Sequence, residues 1–295
     1  MKKYFSLVKF AHTIFALPFA MVGLMLGIQV MIQTGIKPDM PYWLSAVLVL
    51  LCMVFARNAA MAFNRLVDRK YDADNARTAT REIPVGAISV SRARMFIVLN
   101  AGLFMAIAWL INPLCFLLSP VALAVILGYS YTKRFTALCH LVLGLGLSLA
   151  PVGAYLAVTA QFGWEPVVLG IAVLTWVSGF DVIYSLQDEE FDESHGLYSI
   201  PAWLGTQRAL LVSVWLHIIS AAMILLFGWM IGGGGLFWMG GAIFLVLLIY
   251  QHLLVKPHDL SRVNLAFFTT NGIASVLFSG CVIVEIGVNV MAYVS

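Results

Sequence analysis

Nine long stretches of hydrophobic residues, separated by shorter polar segments, divide this chain of 295 residues. A transmembrane helix needs about 20 consecutive apolar residues, and these stretches are of that length. The pattern therefore predicts an all-α integral membrane protein with about nine transmembrane helices. The predicted spans are residues 11–33, 43–64, 95–111, 114–131, 138–160, 165–187, 209–231, 235–254 and 264–293.

The composition agrees with this class of protein. Hydrophobic residues make up 62% of the chain and charged residues only 11%, whereas soluble domains average about 25% charged residues. The net charge of +3 is too small to indicate a nucleic acid, so we expect the lipid bilayer and no nucleic acid as a partner. The four cysteines lie in apolar stretches without metal-site spacing, which indicates neither a disulfide framework nor a zinc site.

The basic residues predict the orientation of the chain. If the N-terminus is cytoplasmic, every lysine and arginine except Lys37 and Arg57 falls on the cytoplasmic side. Such an excess of basic residues is the usual signal for cytoplasmic loops. We therefore predict a multi-pass protein of the inner (plasma) membrane with a cytoplasmic N-terminus.

The acidic residues are concentrated in two segments, 64–82 and 181–193. Ten of the 14 acids lie in or beside them, whereas a solvated surface would spread its charge more evenly. The ten are Asp68, Asp72, Asp74, Glu82, Asp181, Asp188, Glu189, Glu190, Asp192 and Glu193.

Within each segment, oxygen-bearing side chains recur at intervals of four or seven residues, which places them on one helix face. Like charges on one face repel unless a cation lies between them. Ligand sets made only of oxygen suit Mg²⁺, which is usually completed by substrate phosphates. We therefore predict a metal-dependent diphosphate site with two clusters. Its residues are Asn64, Asp68 and Asp72 in the first segment and Asp181, Asp188 and Asp192 in the second.

The two segments end the second and sixth predicted spans, so four crossings separate them and both lie on the same side of the membrane. They can face each other across one cavity. We expect a single transmembrane domain over residues 1–295, with catalytic cytoplasmic loops at about 64–94 and 181–205.

Four of the basic residues on that side are candidate ligands of a diphosphate: Arg77, Arg81, Lys133 and Arg134. They can bind a diphosphate, but topological anchoring explains the same residues. Solvated helix ends joined by ion pairs likewise explain a single acidic segment. Two segments at matching positions favour metal-linked chemistry. A cation or proton transporter is the competing class, although its carboxylates are expected near the midplane of the membrane.

Arg57 lies within the second span, seven residues before Asn64 and on the same helix face. A charged residue inside a span should face a cavity or a partner. One interpretation is that Arg57 binds the substrate. The other is that it pairs with Asp181 or a helix carbonyl and only supports the bundle.

Taken together, these motifs resemble the UbiA superfamily of intramembrane prenyltransferases. Within it, the chain looks most like the 4-hydroxybenzoate polyprenyltransferase branch, including its relatives in the menaquinone pathway. Arg65 and Glu82 depart from the pattern, because many members have an aspartate and a proline there. The resemblance rests on Asn64-x-x-x-Asp68-x-x-x-Asp72, Arg77-Thr-x-x-Arg81 with Pro84-x-Gly86, Tyr131-x-Lys133-Arg134, Asp181, and Asp188-x-x-x-Asp192.

The resemblance implies nine helices around a central cavity that opens to the cytoplasm and to lipid. It implies Mg²⁺-dependent transfer of a polyprenyl group from polyprenyl diphosphate to a small aromatic acid in ubiquinone or menaquinone synthesis. The acid would be of the 4-hydroxybenzoate or dihydroxynaphthoate type; a haem or chlorophyll precursor is the alternative acceptor.

Each motif then has an expected role. Asp68 and Asp72 would hold one Mg²⁺, Asp188 and Asp192 another, and Asn64 would add an oxygen ligand. Arg57 would hold the acid group of the acceptor. The expected diphosphate-binding residues are Arg77, Arg81, Lys133 and Arg134, and Asp181 would stabilise the allylic cation or orient the acceptor.

Overall fold

The computed structural model describes Leu7 and residues 15–294, without the side chain of Val294. Helices dominate these residues, and the only β-type pairing among them is an isolated bridge between Lys256 and Asp259. The helices are α1 (Leu17–Thr34), α2 (Tyr42–Val67), α3 (Arg69–Asp74), α4 (Val90–Ile111), α5 (Pro113–Thr132), α6 (Cys139–Thr159), α7 (Trp164–Ser185), α8 (Glu189–Ser194), α9 (Ile200–Leu204), α10 (Thr206–Met230), α11 (Gly235–Leu254) and α12 (Asn271–Val294).

Two irregular turns extend the long helices. A 3₁₀ turn, Leu186–Asp188, joins α7 to α8, and a π-helical turn, Leu265–Thr270, leads into α12. Counted with these turns, nine helices in the described part of the chain are long and apolar enough to cross a membrane. The prediction of an all-α protein with about nine spans is confirmed.

Most helix ends lie within a few residues of the predicted bounds. The third span begins earlier than predicted, at Val90, because Arg92 and Arg94 belong to its first two turns and Ser89 caps it through a bond from the Arg92 amide. Asn112 and Pro113 make a tight turn between the third and fourth spans, in which the Asn112 side chain accepts from the Cys115 amide at 2.8 Å. Residues 11–14 of the first predicted span, with His12, lie outside the described residues.

Helix α7 is the most buried span and organises the core. Trp176 on α7 is fully buried, and its ring centroid lies 5.3 Å from that of Phe19 on α1 and 5.6 Å from that of Phe244 on α11. Its indole nitrogen donates to Asn271 Oδ1 at 2.9 Å, so the polar edge of the ring is satisfied. The outer faces carry exposed apolar side chains such as Trp215, which suits contact with lipid.

Helices α6 and α7 approach each other closely at Gly144. A Cβ atom at this position would collide with the Leu174 carbonyl oxygen and with Ser178 Oγ. Ser178 Oγ also donates to the His140 carbonyl oxygen at 3.0 Å, which joins the two helices. Small residues of this kind let helices pack tightly in lipid. The contact lies one turn before Asp181, where the second acidic segment begins, and holds this end of α7 against the start of α6.

We expect Gly144→Ala to lower the melting temperature of the purified protein in detergent, because overpacking costs about 1–3 kcal/mol. The matched control is Gly153→Ala on the same helix, where a Cβ would meet nothing within 4 Å. That control should leave the melting temperature unchanged or raise it, since alanine is the better helix former. Equal melting temperatures for the two variants would contradict the close approach of α6 and α7.

Candidate active site

The two acidic segments lie at helix junctions. Helix α2 ends at Val67, Asp68 caps it, and the short α3 carries Asp72. In the second segment, the 3₁₀ turn ends at Asp188 and α8 carries Asp192. The carboxylates are therefore held by changes of chain direction as well as by helical spacing.

Arg77 joins the two segments. Its Nε donates to Asp188 Oδ1 at 3.2 Å and its Nη2 donates to Asp188 Oδ2, so the contact is bidentate. Asn75 Nδ2 also donates to Asp188 Oδ1, at 3.3 Å. Since Asn75 and Arg77 belong to the first segment and Asp188 to the second, the expected face-to-face arrangement of the two segments is present in the structure.

Asp72 is held within the first segment. Its Oδ1 accepts from Arg81 Nη1 at 2.6 Å, and its side chain is 8% exposed. Asp72 Oδ2 is buried and has no hydrogen-bond partner among the described residues. A buried carboxylate oxygen without a donor is costly, so this atom is suited to accept a cation.

The basic pair after α5 holds the two remaining aspartates. Lys133 Nζ lies 2.9 and 3.1 Å from the two oxygens of Asp192, whose side chain is 1% exposed. Arg134 Nη2 lies 3.5 Å from Asp68 Oδ1 and donates to the Val67 carbonyl at 3.0 Å. Asn64 Nδ2 donates to Asp68 Oδ2 at 2.9 Å.

Each predicted metal-binding aspartate is thus paired with one predicted diphosphate-binding cation. Within the described residues, no three Asp, Glu, His or Cys side chains form a group that could hold a metal ion. The residues nevertheless fit Mg²⁺ by chemistry, because the donors are hard oxygen atoms and one of them, on Asp72, is buried without a partner.

The surroundings of the four aspartate–cation pairs shift the pKa values of three of their side chains. Burial raises the pKa of the Asp68 carboxyl to about 6, the neighbouring Asp72 adds to this rise, and Arg134 and Lys133 oppose it. Burial would lower the pKa of the Arg77 guanidinium, but Asp188 and the Tyr184 hydroxyl outweigh it and raise that pKa. The pKa of Lys133 is raised in the same way by Asp192. Arg77 and Lys133 therefore stay charged, whereas the Asp68 carboxyl protonates more readily than a free aspartate.

Asp181 is not one of the four aspartates paired with these cations. Its Oδ2 lies 2.7 Å from His140 Nδ1 on α6, and its side chain is 18% exposed. Arg57 lies on α2, half-buried and two turns before Asn64, on the same continuous helix. The structural alternative that named Asp181 as the partner of Arg57 is not supported, because the ion pair of Asp181 is with His140.

A family model describing the UbiA prenyltransferase family matches residues 16–273. The chain belongs to the UbiA prenyltransferase family. It is therefore a prenyltransferase, and its apolar helices make it a multi-pass membrane protein.

Among sequence relatives, a 4-hydroxybenzoate octaprenyltransferase from Citrobacter koseri is 30% identical over 255 residues, 85% of this chain and 86% of the relative. Another from Salmonella paratyphi C is 31% identical over 249 residues, 82% of this chain and 83% of the relative.

Solved UbiA-family structures have the same fold. An apo UbiA homologue from Aeropyrum pernix K1 superposes with a TM-score of 0.82 at 33% identity, covering 93% of this chain and 98% of the other. A homologue from Archaeoglobus fulgidus bound to GPP and Mg²⁺ superposes with a TM-score of 0.71 at 23% identity, covering 97% and 99%. At this low identity, the comparison with the Archaeoglobus fulgidus structure shows a shared fold alone.

Sequence reasoning missed three residues of this UbiA-family site. His140 holds Asp181. The Tyr184 hydroxyl accepts from Arg77 Nη1 at 3.0 Å. Arg65, noted only as a departure from the pattern, is 3% exposed and lies within electrostatic range of Arg81, Asp72 and Glu82. The four-residue spacing between Tyr184 and Asp188 could have indicated Tyr184 from the sequence. No pattern in the sequence indicated that His140 contacts Asp181.

Proposed function

We propose that this UbiA-family protein transfers a polyprenyl group from polyprenyl diphosphate to a small aromatic acid, of the 4-hydroxybenzoate or dihydroxynaphthoate type, in quinone biosynthesis. The observation that carries the proposal is the pairing of four aspartates in two segments with four cations, one of which, Arg77, joins the segments at one end of an apolar bundle. A polyprenyl diphosphate has an apolar tail and a charged head, and this arrangement offers a matching environment to each. The names of the sequence relatives support the aromatic acceptor.

The metal assignment is part of this proposal. Asp68 and Asp72 would hold one Mg²⁺ and Asp188 and Asp192 another, with Asn64 as an additional oxygen ligand. When bound, Mg²⁺ supplies charge stabilisation to the departing diphosphate. The Archaeoglobus homologue, which was solved with GPP and Mg²⁺, supports the choice of ion.

The cations are placed to exchange partners. Arg77, Lys133 and Arg134 have side chains about one third exposed, whereas their aspartate partners are less exposed. The aspartates hold these cations, together with Arg81, at the mouth of the site. An arriving diphosphate presents more negative charge than one carboxylate, so the cations donate to it as the allylic C–O bond breaks and the electron pair leaves with the diphosphate.

The remaining residues handle the acceptor. The aromatic ring attacks the allylic carbon, forms the new C–C bond and then loses a proton. Asp181 lies two helical turns before Asp188 and is placed to stabilise the allylic cation or to orient the ring. Arg57 lies on α2 about 16 Å before Asp68, and its planar guanidinium suits the carboxylate of an aromatic acid.

The same proposal includes the setting of the site. We place the N-terminus and the active site on the cytoplasmic side of the inner (plasma) membrane, with catalytic loops at about 64–94 and 181–205 of a single domain, 1–295. The central cavity open to lipid would hold the prenyl tail.

The direct test is a reconstitution assay. Purified protein should release diphosphate and form a prenylated ring only when Mg²⁺, a polyprenyl diphosphate and an aromatic acid are all present. The product mass from a panel of acceptors, including haem and chlorophyll precursors, identifies the ring. Cation flux into liposomes without any need for diphosphate would instead support a transporter.

We expect Asp68→Asn and Asp188→Asn each to lower kcat by about a hundredfold or more, because each removes charge that holds the metal and the diphosphate cations. The matched control is Asp74→Asn, the same change at an exposed aspartate beside the first segment. Circular dichroism in detergent should show all three variants folded. Near-full activity in either site variant would remove the metal assignment.

Arg57→Ala should lower kcat/KM for the aromatic acid by about 1.5–3 kcal/mol, the range for a hydrogen bond to a charged group, while the KM for prenyl diphosphate changes little. Arg57→Lys keeps the positive charge but loses the planar guanidinium that can donate two parallel hydrogen bonds. Its kcat/KM should therefore lie between those of the alanine variant and the wild type. Equal damage toward both substrates, or loss of folded protein, would support a structural role for Arg57.

A further inference from the structure

A buried histidine stands directly behind Asp181. The His140 side chain is 1% exposed, and its Nδ1 lies 2.7 Å from Asp181 Oδ2. On the other side of the ring, the Ile200 backbone amide donates to His140 Nε2 at 3.3 Å. One imidazole thus joins a candidate active-site carboxylate to the backbone at the start of α9.

These two contacts determine the tautomer. A backbone amide can only donate, so His140 Nε2 must carry a lone pair. The proton therefore resides on Nδ1, which donates to the Asp181 carboxylate.

The position of His140 is itself tightly constrained. Its carbonyl oxygen accepts from Ser178 Oγ at 3.0 Å, at the close contact between α6 and α7 made possible by Gly144. The 195–200 loop, on the other side of the imidazole, is also held in place, because the Tyr198 amide donates to the Lys133 carbonyl at 2.7 Å. The imidazole is held from both sides and has little freedom to turn.

Asp181, by contrast, is partly open. Its side chain is 18% exposed while that of His140 is almost completely covered, so substrate can reach the carboxylate but not the ring. Asp181 also lies three residues before Tyr184 and seven before Asp188, on the same face as the residues that bind Arg77.

We propose that His140 is a positioning residue, which fixes the Asp181 carboxylate for reaction and connects it to the 195–200 loop. The proposal rests on the proposed function, in which Asp181 acts on the allylic cation or on the acceptor. A donor behind one oxygen sets the rotamer of the carboxylate and leaves its other oxygen to face the substrate. Outer partners of this kind orient ligands in other active sites.

Two substitutions separate the two bonds of the ring. In His140→Asn, the side-chain amide nitrogen can take the place of Nδ1 and donate to Asp181, but nothing replaces Nε2. In His140→Gln, the longer side chain can accept from the Ile200 amide, but it cannot donate to Asp181. His258→Asn is the control, since His258 is exposed.

We expect His140→Gln to lower kcat/KM for the aromatic acceptor by about tenfold to a hundredfold, similar to Asp181→Asn, with the KM for prenyl diphosphate unchanged. His140→Asn should retain most of the wild-type value, although the Ile200 amide should exchange its hydrogen faster. In the Asp181→Asn background, His140→Gln should cause no further loss. Melting temperatures measured in parallel report any loss of folded protein.

Equal losses in His140→Asn and His140→Gln would overturn the proposal, as would additive losses in the double variant, because either result means that His140 only supports packing. Wild-type activity in His140→Gln would overturn it too, while leaving the proposed function intact. A wild-type protein that transfers no prenyl group to any aromatic acid would overturn the proposed function, and this inference with it.

Discussion

An ionised side chain buried at the end of an apolar helix bundle is stable only when it has a partner of opposite charge. Asp192 illustrates the constraint, because its side chain is 1% exposed and both of its oxygens lie within 3.1 Å of Lys133 Nζ. The pairing of Asp188 with Arg77 serves the same need and also ties the two segments together. The shape of the site therefore follows from charge neutralisation, and the helix junctions at Asp68 and Asp188 give the pairs room to form.

The apolar bundle makes this arrangement rigid. Trp176 at the centre of α7 anchors the π-helical turn through Asn271, and that turn stacks Phe267 on Tyr184 with 4.1 Å between ring centroids. Tyr184 in turn accepts from Arg77. Packing deep in the core is thus linked by direct contacts to Arg77, the cation that joins the acidic segments. The close approach of α6 and α7 at Gly144 likewise fixes the position of His140.

The fold could be predicted largely from the sequence because hydrophobic length is a local property. Nine apolar stretches indicate nine spans in any order of packing. The partners of the charged residues could not be predicted, since Lys133 and Asp192 are 59 residues apart and meet only after α5 and α8 have packed. His140 was missed for the same reason: its meaning depends on Asp181 and Ile200, which reach it from other parts of the chain. Helical spacing placed Asp181 in one group with Asp188 and Asp192, although Asp181 pairs with His140, and it could not assign a cation to each aspartate.

The pairs also explain how one set of residues can serve two states. If the aspartates were unpaired without substrate, their mutual repulsion would destabilise the ends of α2 and α7. Paired with cations, they are neutralised, and the cations are stored close to where a diphosphate would bind. An incoming diphosphate and metal ion can satisfy both partners at once, so opening a pair leaves no buried charge uncompensated. Among the oxygens of the four paired aspartates, only Asp72 Oδ2 lacks a hydrogen-bond donor in the described part of the chain, so a bound cation would stabilise this atom most.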